Sequence, residues 1–75
     1  MKELLENMAK ALVEYPNDVN VEVEETQTGM VLKLHVNESD MGKVIGKQGR
    51  IAKAIRIVIK AAAIHENIRV SVEIL

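Results

Sequence analysis

A chain of 75 residues, 48% apolar and 28% charged, is sized for one small domain, residues 1–75, with an aliphatic core. With no cysteine and two histidines it lacks disulfide staples and a structural zinc set, and its apolar content excludes disorder. Net charge is −1, yet residues 1–40 hold three basic and nine acidic side chains while residues 41–75 hold seven and two, so the second half forms an anion-attracting surface.

Leu4, Leu5, Met8, Ala9, Leu12 and Val13 recur at helical spacing and predict an amphipathic first helix. Tyr15-Pro16 ends it, because the residue before a proline is pushed out of the helical region, and Asn17-Asp18 turns the chain. Val19, Val21 and Val23 alternate with polar residues, which predicts a strand with one buried face. Thr26-Gln27-Thr28-Gly29 reads as a hairpin loop, and Met30, Leu32, Leu34 and Val36 mark an antiparallel return strand. Ser39 or Asp40 can cap a short helix over residues 41–45. A turn at Gly46–Gly49 leads into a long helix from about Arg50 to Ile64, whose narrow apolar face is Ile51, Ile55, Val58 and Ala62. Asn67 ends that helix, and Ile68, Val70, Val72 and Ile74 mark a last strand. The order α-β-β-α-α-β predicts an α+β fold, a three-stranded mixed sheet with the helices packed on one face. The N-terminus predicts no secretory leader, and no apolar stretch approaches the length of a membrane span.

Function concentrates in DMGKVIGKQGRIAKAIRIVIKAAA, residues 40–63. After Asp40 this run carries Lys43, Lys47, Arg50, Lys53, Arg56 and Lys60 and no acid. A Gly-x-x-Gly turn with a cationic middle suits a nucleic-acid backbone, because glycines lack the Cβ that would hold a sugar-phosphate away. Free N–H groups at a helix start favour an anion as well. A bare Gly-x-x-Gly is a common string, and helix charges are usually just solvated. The missing acidic counterparts favour the functional reading, since ordinary exposed helices mix signs.

Val44-Ile45-Gly46-Lys47-Gln48-Gly49-Arg50-Ile51, set between two helices, resembles the V-I-G-K-x-G-x-x-I motif of the KH (K-homology) RNA-binding domain. The element order resembles the bacterial type II arrangement over the whole chain, and a free-standing domain of this length resembles the small KhpA family. The resemblance implies single-stranded RNA held in a groove, with the Gly-x-x-Gly loop on the backbone of about four nucleotides. It implies that Gly46 and Gly49 allow close approach and that Lys47 and Gln48 face phosphates. Val44, Ile45 and Ile51 would line an apolar floor, and Lys43, Arg50 and Lys53 would rim it. Gln48 is neutral where a second basic residue or glycine is often seen. The resemblance further implies a cytoplasmic RNA chaperone or regulator linked to cell elongation and division, which self-associates or pairs with a larger KH-containing protein. The residues themselves lead to no cofactor, metal or membrane as an expectation.

Other readings of these residues are weaker. Gly42–Gln48 is one residue short of a nucleotide-binding P-loop and lacks its Ser/Thr. His35, His65 and the acids Glu22, Glu24 and Glu25 form no interpretable catalytic or metal pattern. Tyr15 is the one aromatic and lies far from the motif in sequence, so recognition rests on aliphatic contacts, main-chain hydrogen bonds and charge. Ile57, Ile64 and Ala61–Ala63 leave the long helix apolar on a second side, which supports an alternative: a dimerisation or adaptor module that uses the same scaffold with little RNA binding of its own.

Overall fold

The computed structural model describes the backbone of residues 1–75 and the side chain of every residue except Lys47. Helix α1 spans Lys2–Leu12, and Pro16–Asp18 form a short 3-10 turn. Strands β1 (Asn20–Thr26) and β2 (Gly29–His35) are followed by helix α2 (Glu38–His65) and strand β3 (Val70–Ile74). The sheet order is β1-β2-β3; β1 pairs antiparallel with β2 and β2 parallel with β3, so the sheet is mixed.

The expected second and third helices both lie within α2. A straight helix of 28 residues would be about 42 Å long; the longest dimension of the molecule is 33 Å. The break is at Gln48 (φ 62°) and Gly49 (φ 68°), both in the left-handed region that a right-handed helix never visits. This joint divides α2 into arms 38–47 and 50–65, and the order α-β-β-α-α-β stands.

One face of the sheet carries the core. Leu5 and Ala9 of α1 meet Val21, Leu32, Leu34 and Val72 of the sheet and Ile55 and Ile59 of α2. Alternation places these strand residues on one side. The buried stripe of arm 50–65 is Ala52, Ile55, Ile59 and Ala63, rotated from the expected Ile51, Ile55, Val58 and Ala62; Val58 is 42% exposed. Apolar residues cover most of this arm's circumference, so spacing leaves the core face open and contact with the sheet decides it. Val23 shares the core side but sits on edge strand β1 towards the hairpin, where it stays exposed.

Local signals set the ends. Asn37, rather than Ser39 or Asp40, caps α2: its side-chain oxygen accepts from the Ser39 N–H at 2.7 Å. Asn67 (φ 58°) ends α2 in a Schellman motif, with Ile68 N–H donating to the Ala63 carbonyl at 2.9 Å and Asn67 N–H to that of Ile64 at 3.0 Å. Thr26 pairs with Gly29, so the hairpin loop shrinks to Gln27-Thr28. A Cβ on Gly29 would lie 2.3 Å from the Arg69 carbonyl oxygen, which is why only glycine fits there. On the solvent side of the sheet, Lys33 Nζ lies 2.8 Å from Glu24 Oε2 and His35 Nε2 lies 3.2 Å from Glu22 Oε1. The hydrogen bond from Lys33 holds the Glu24 carboxyl below its ordinary range and raises Lys33 in turn. Among the described residues, no helix is long and apolar enough to cross a membrane.

Candidate nucleic-acid interface

Asn37 starts arm 38–47, and this arm carries the motif to the joint. Gly46 lies within the helix at negative φ, and a Cβ built on it meets nothing within 4 Å. The turn itself falls two residues later, at Gln48-Gly49. Gln48 has no glycine's freedom there, so its left-handed backbone stores about 1–2 kcal/mol of strain.

The structure separates the ten residues singled out by sequence. Lys43, Ile45, Gln48, Arg50 and Lys53 are exposed around the joint, with Ile45 at 51%. Gly46, Gly49 and Ile51 are half-buried, and Ile51 packs against the core. Val44 is buried, so its side chain offers no surface for the expected floor. Lys47, expected to face phosphate, has its side chain outside the described residues.

Charge is distributed unevenly. Lys43 Nζ lies 3.5 Å from Glu14 Oε1, so the acidic half of the chain reaches this rim cation. Among the described residues, Arg50, Lys53, Arg56 and Lys60 make no ion pair. Arg56 instead donates from Nε to the Val72 carbonyl at 3.4 Å, spanning from arm 50–65 to the edge of β3.

Beside that contact lies a groove of about 430 Å³ between arm 50–65 and β3. Ile59, Ala63, Ile64, Ile68, Val70 and Val72 give it aliphatic walls, and Arg56, Lys60 and Arg69 add positive charge. Among the described residues, none of the ten expected site residues lines it. Helical spacing put Ile64 on the second apolar side of the long helix, but no local pattern set Ile68, Arg69, Val70 and Val72 beside it. Those four come from the far side of the helix end, and only tertiary contact brings them opposite Arg56. The outward direction of the Val72 carbonyl follows from register: Arg69 and Leu75 bond to β2, so the alternate residues Val70, Val72 and Ile74 turn their main-chain groups to the free edge.

Tyr15 is also closer than its sequence position suggests. Its N–H donates to Asp40 Oδ2 at 3.1 Å, which puts the one aromatic residue at the base of arm 38–47 with its side chain 46% exposed. Among the described residues, no three His, Asp or Glu side chains gather closely enough to hold a metal ion.

Comparison with known proteins bears on family and fold. A family profile described as KhpA/KhpB, KH domain matches residues 2–74. The chain is 60% identical over 75 residues to the RNA-binding protein KhpA of Clostridium acetobutylicum, covering all of both chains. It is 45% identical over 74 residues to that of Bacillus subtilis, covering 99% of this chain and 91% of the relative. Among solved structures it is similar in fold to Era of Aquifex aeolicus, with a TM-score of 0.66 at 22% identity over 97% of this chain and 28% of Era. A structure of Era in complex with MgGDPNP and nucleotides 1506–1542 of 16S ribosomal RNA gives a TM-score of 0.57 at the same identity and coverage.

Proposed function

Because the chain belongs to the KhpA/KhpB KH-domain family, we propose that it is a non-catalytic RNA-binding protein that grips the backbone of single-stranded RNA at its glycine joint. Its relatives bear the name RNA-binding protein, and a KH domain clamps about four nucleotides of backbone at a Gly-x-x-Gly loop. The observation that carries the reading is the joint: an open helical glycine, then two left-handed residues, then cations with no acidic partner among the described residues. Phosphates sit against residues 46–49 and the Arg50 and Lys53 side chains. Bases turn towards the aliphatic groove between arm 50–65 and β3. Without an aromatic platform in that groove, binding is weak and sequence-tolerant. Such a grip suits a cytoplasmic RNA chaperone or post-transcriptional regulator, and the link to cell elongation and division comes with the family resemblance.

Replacing Lys47 and Gln48 together by aspartate puts two negative charges where phosphate is held. Fluorescence anisotropy with labelled single-stranded RNA should show binding abolished while the circular dichroism of the fold is kept. Binding equal to that of the natural chain would overturn the reading.

A second reading rests on the outer face of arm 50–65. Ile57 is 67% exposed and Ile64 69%, an apolar pair two turns apart. It fits self-association or docking to a larger KH-containing protein. Sedimentation of the natural chain beside Ile57→Asp tests it: a monomer at high concentration in both removes the case for self-association.

A further inference from the structure

We infer that Asp40 is a positioning residue for the RNA-gripping joint: its carboxylate clasps arm 38–47 to the segment that follows α1 and so sets where residues 46–49 stand. The inference rests on the RNA reading above. Asp40 is 2% exposed, and both of its oxygens are engaged. Oδ1 accepts from the Glu14 N–H at 3.0 Å and Oδ2 from the Tyr15 N–H at 3.1 Å.

The donors owe their availability to the local sequence. Helix α1 ends at Leu12 and Val13 is extended, and Pro16 keeps Tyr15 out of helical geometry. The N–H groups of residues 14 and 15 thus leave the helix without an intrahelical acceptor, and buried amides need one. Asp40 meets both from the first turn of α2, where the helix dipole favours a negative charge.

Arm 38–47 has little else to hold it. Among the described side chains, none from residue 37 to 50 belongs to the main core cluster. Among the described side chains of that stretch, only Asp40 and Val44 are buried. Two exposed contacts reach the same segment: Asn37 Nδ2 donates to Asp18 Oδ2 at 2.7 Å, and Lys43 pairs with Glu14. An apolar side chain at position 40 would avoid the loss of carboxylate hydration. It would also surrender the fixed directions of two hydrogen bonds, so the carboxylate contributes geometry more than cohesion. Eight residues separate Asp40 from Gln48, about 12 Å of helix, so a tilt of about 5° at the clasp moves the joint about 1 Å. A displacement of that size is enough to spoil a positioned contact.

The test is Asp40→Asn in the full chain, with Asp40→Ala beside it. Asparagine keeps the shape but turns an N–H₂ towards one of the two donors. Affinity for a labelled oligouridine is measured at a temperature where thermal unfolding shows each variant folded, and amide exchange is followed by NMR. The expected result for Asp40→Asn is a loss of about tenfold in affinity, with faster exchange confined to residues 13–15 and 38–50 and sheet amides protected as in the natural chain. Affinity unchanged within twofold would overturn the inference, and so would a loss of protection spread evenly over the sheet. If Asp40→Ala does not fold, Asp40→Asn alone decides. The Lys47, Gln48 double aspartate variant runs in parallel. If it binds like the natural chain, the RNA reading itself fails; if it loses binding while Asp40→Asn keeps it, only the role of Asp40 fails.

Discussion

Gly46→Ala should make the protein more stable and a worse RNA binder. Gly46 lies within α2 at negative φ, and a Cβ there has no neighbour within 4 Å, so the fold has no need of glycine. In a helix interior glycine is about 0.8–1.0 kcal/mol less favourable than alanine. Restoring the methyl group should therefore stabilise by about 1 kcal/mol, which raises the melting temperature of a domain this small by about 4–8 °C. On the proposed grip, the same methyl group stands where a sugar-phosphate comes close. Losing one hydrogen bond to a charged phosphate costs about 1.5 kcal/mol, or about tenfold in affinity. Gly42→Ala is the control: it too is helical and open, lies mid-arm and outside the proposed gripping residues, so it should stabilise at least as much and bind normally. Thermal unfolding followed by circular dichroism and anisotropy with single-stranded RNA read the two effects. A destabilised Gly46→Ala would refute the helical assignment of that glycine. A stabilised one with full affinity would refute close approach of the backbone at this position.

Gly29→Ala should destabilise by about 3 kcal/mol, because its Cβ would press on main chain, the Arg69 carbonyl oxygen at 2.3 Å; chemical denaturation measures it. Glu24 should titrate below an ordinary glutamate by NMR, and Lys33→Gln should return it to that range. Since its folded pKa is the lower one, the stability it contributes is present above the unfolded pKa and is lost as pH falls through the folded one. RNA affinity should fall with salt at a log–log slope of about −2 to −3, as for three or four neutralised phosphates on a single strand; a flat salt dependence would remove the phosphate grip.

The strands and α1 were legible because their signals are local. Alternation in residues 30–36 placed Leu32 and Leu34 in the core, and Tyr15-Pro16 marked the end of α1. Asn67 worked for the same reason, since its left-handed conformation needs only its own backbone. Long-range contacts were not legible. Ile59 and Ala63 became core through the sheet they meet, while Val58, equally apolar, faces solvent. Asp40 looked like a cap, but its acceptors are taken by residues 25 and 26 positions earlier in the chain. The groove needed β3 and the end of α2 to be brought together, so no run of residues announced it.

The departures from local consistency fall within ten residues. Gly46 weakens a helix that alanine would strengthen, Gln48 holds a left-handed backbone without being glycine, and Asp40 buries a carboxylate. The first two together cost about 2–3 kcal/mol. A chain of this length has a net stability of only about 4–11 kcal/mol. Elsewhere the unusual backbone has a structural reason: Gly29 clears a carbonyl, and Asn67 closes a helix. At residues 40–49 the bend of α2 requires a left-handed pair, but it does not require glutamine in place of glycine at position 48, and nothing in the packing requires glycine at position 46. Sequences that fold well break local rules mainly where a ligand demands it. The concentration of these costs on arm 38–47 and its joint fits the proposed grip on RNA at that segment.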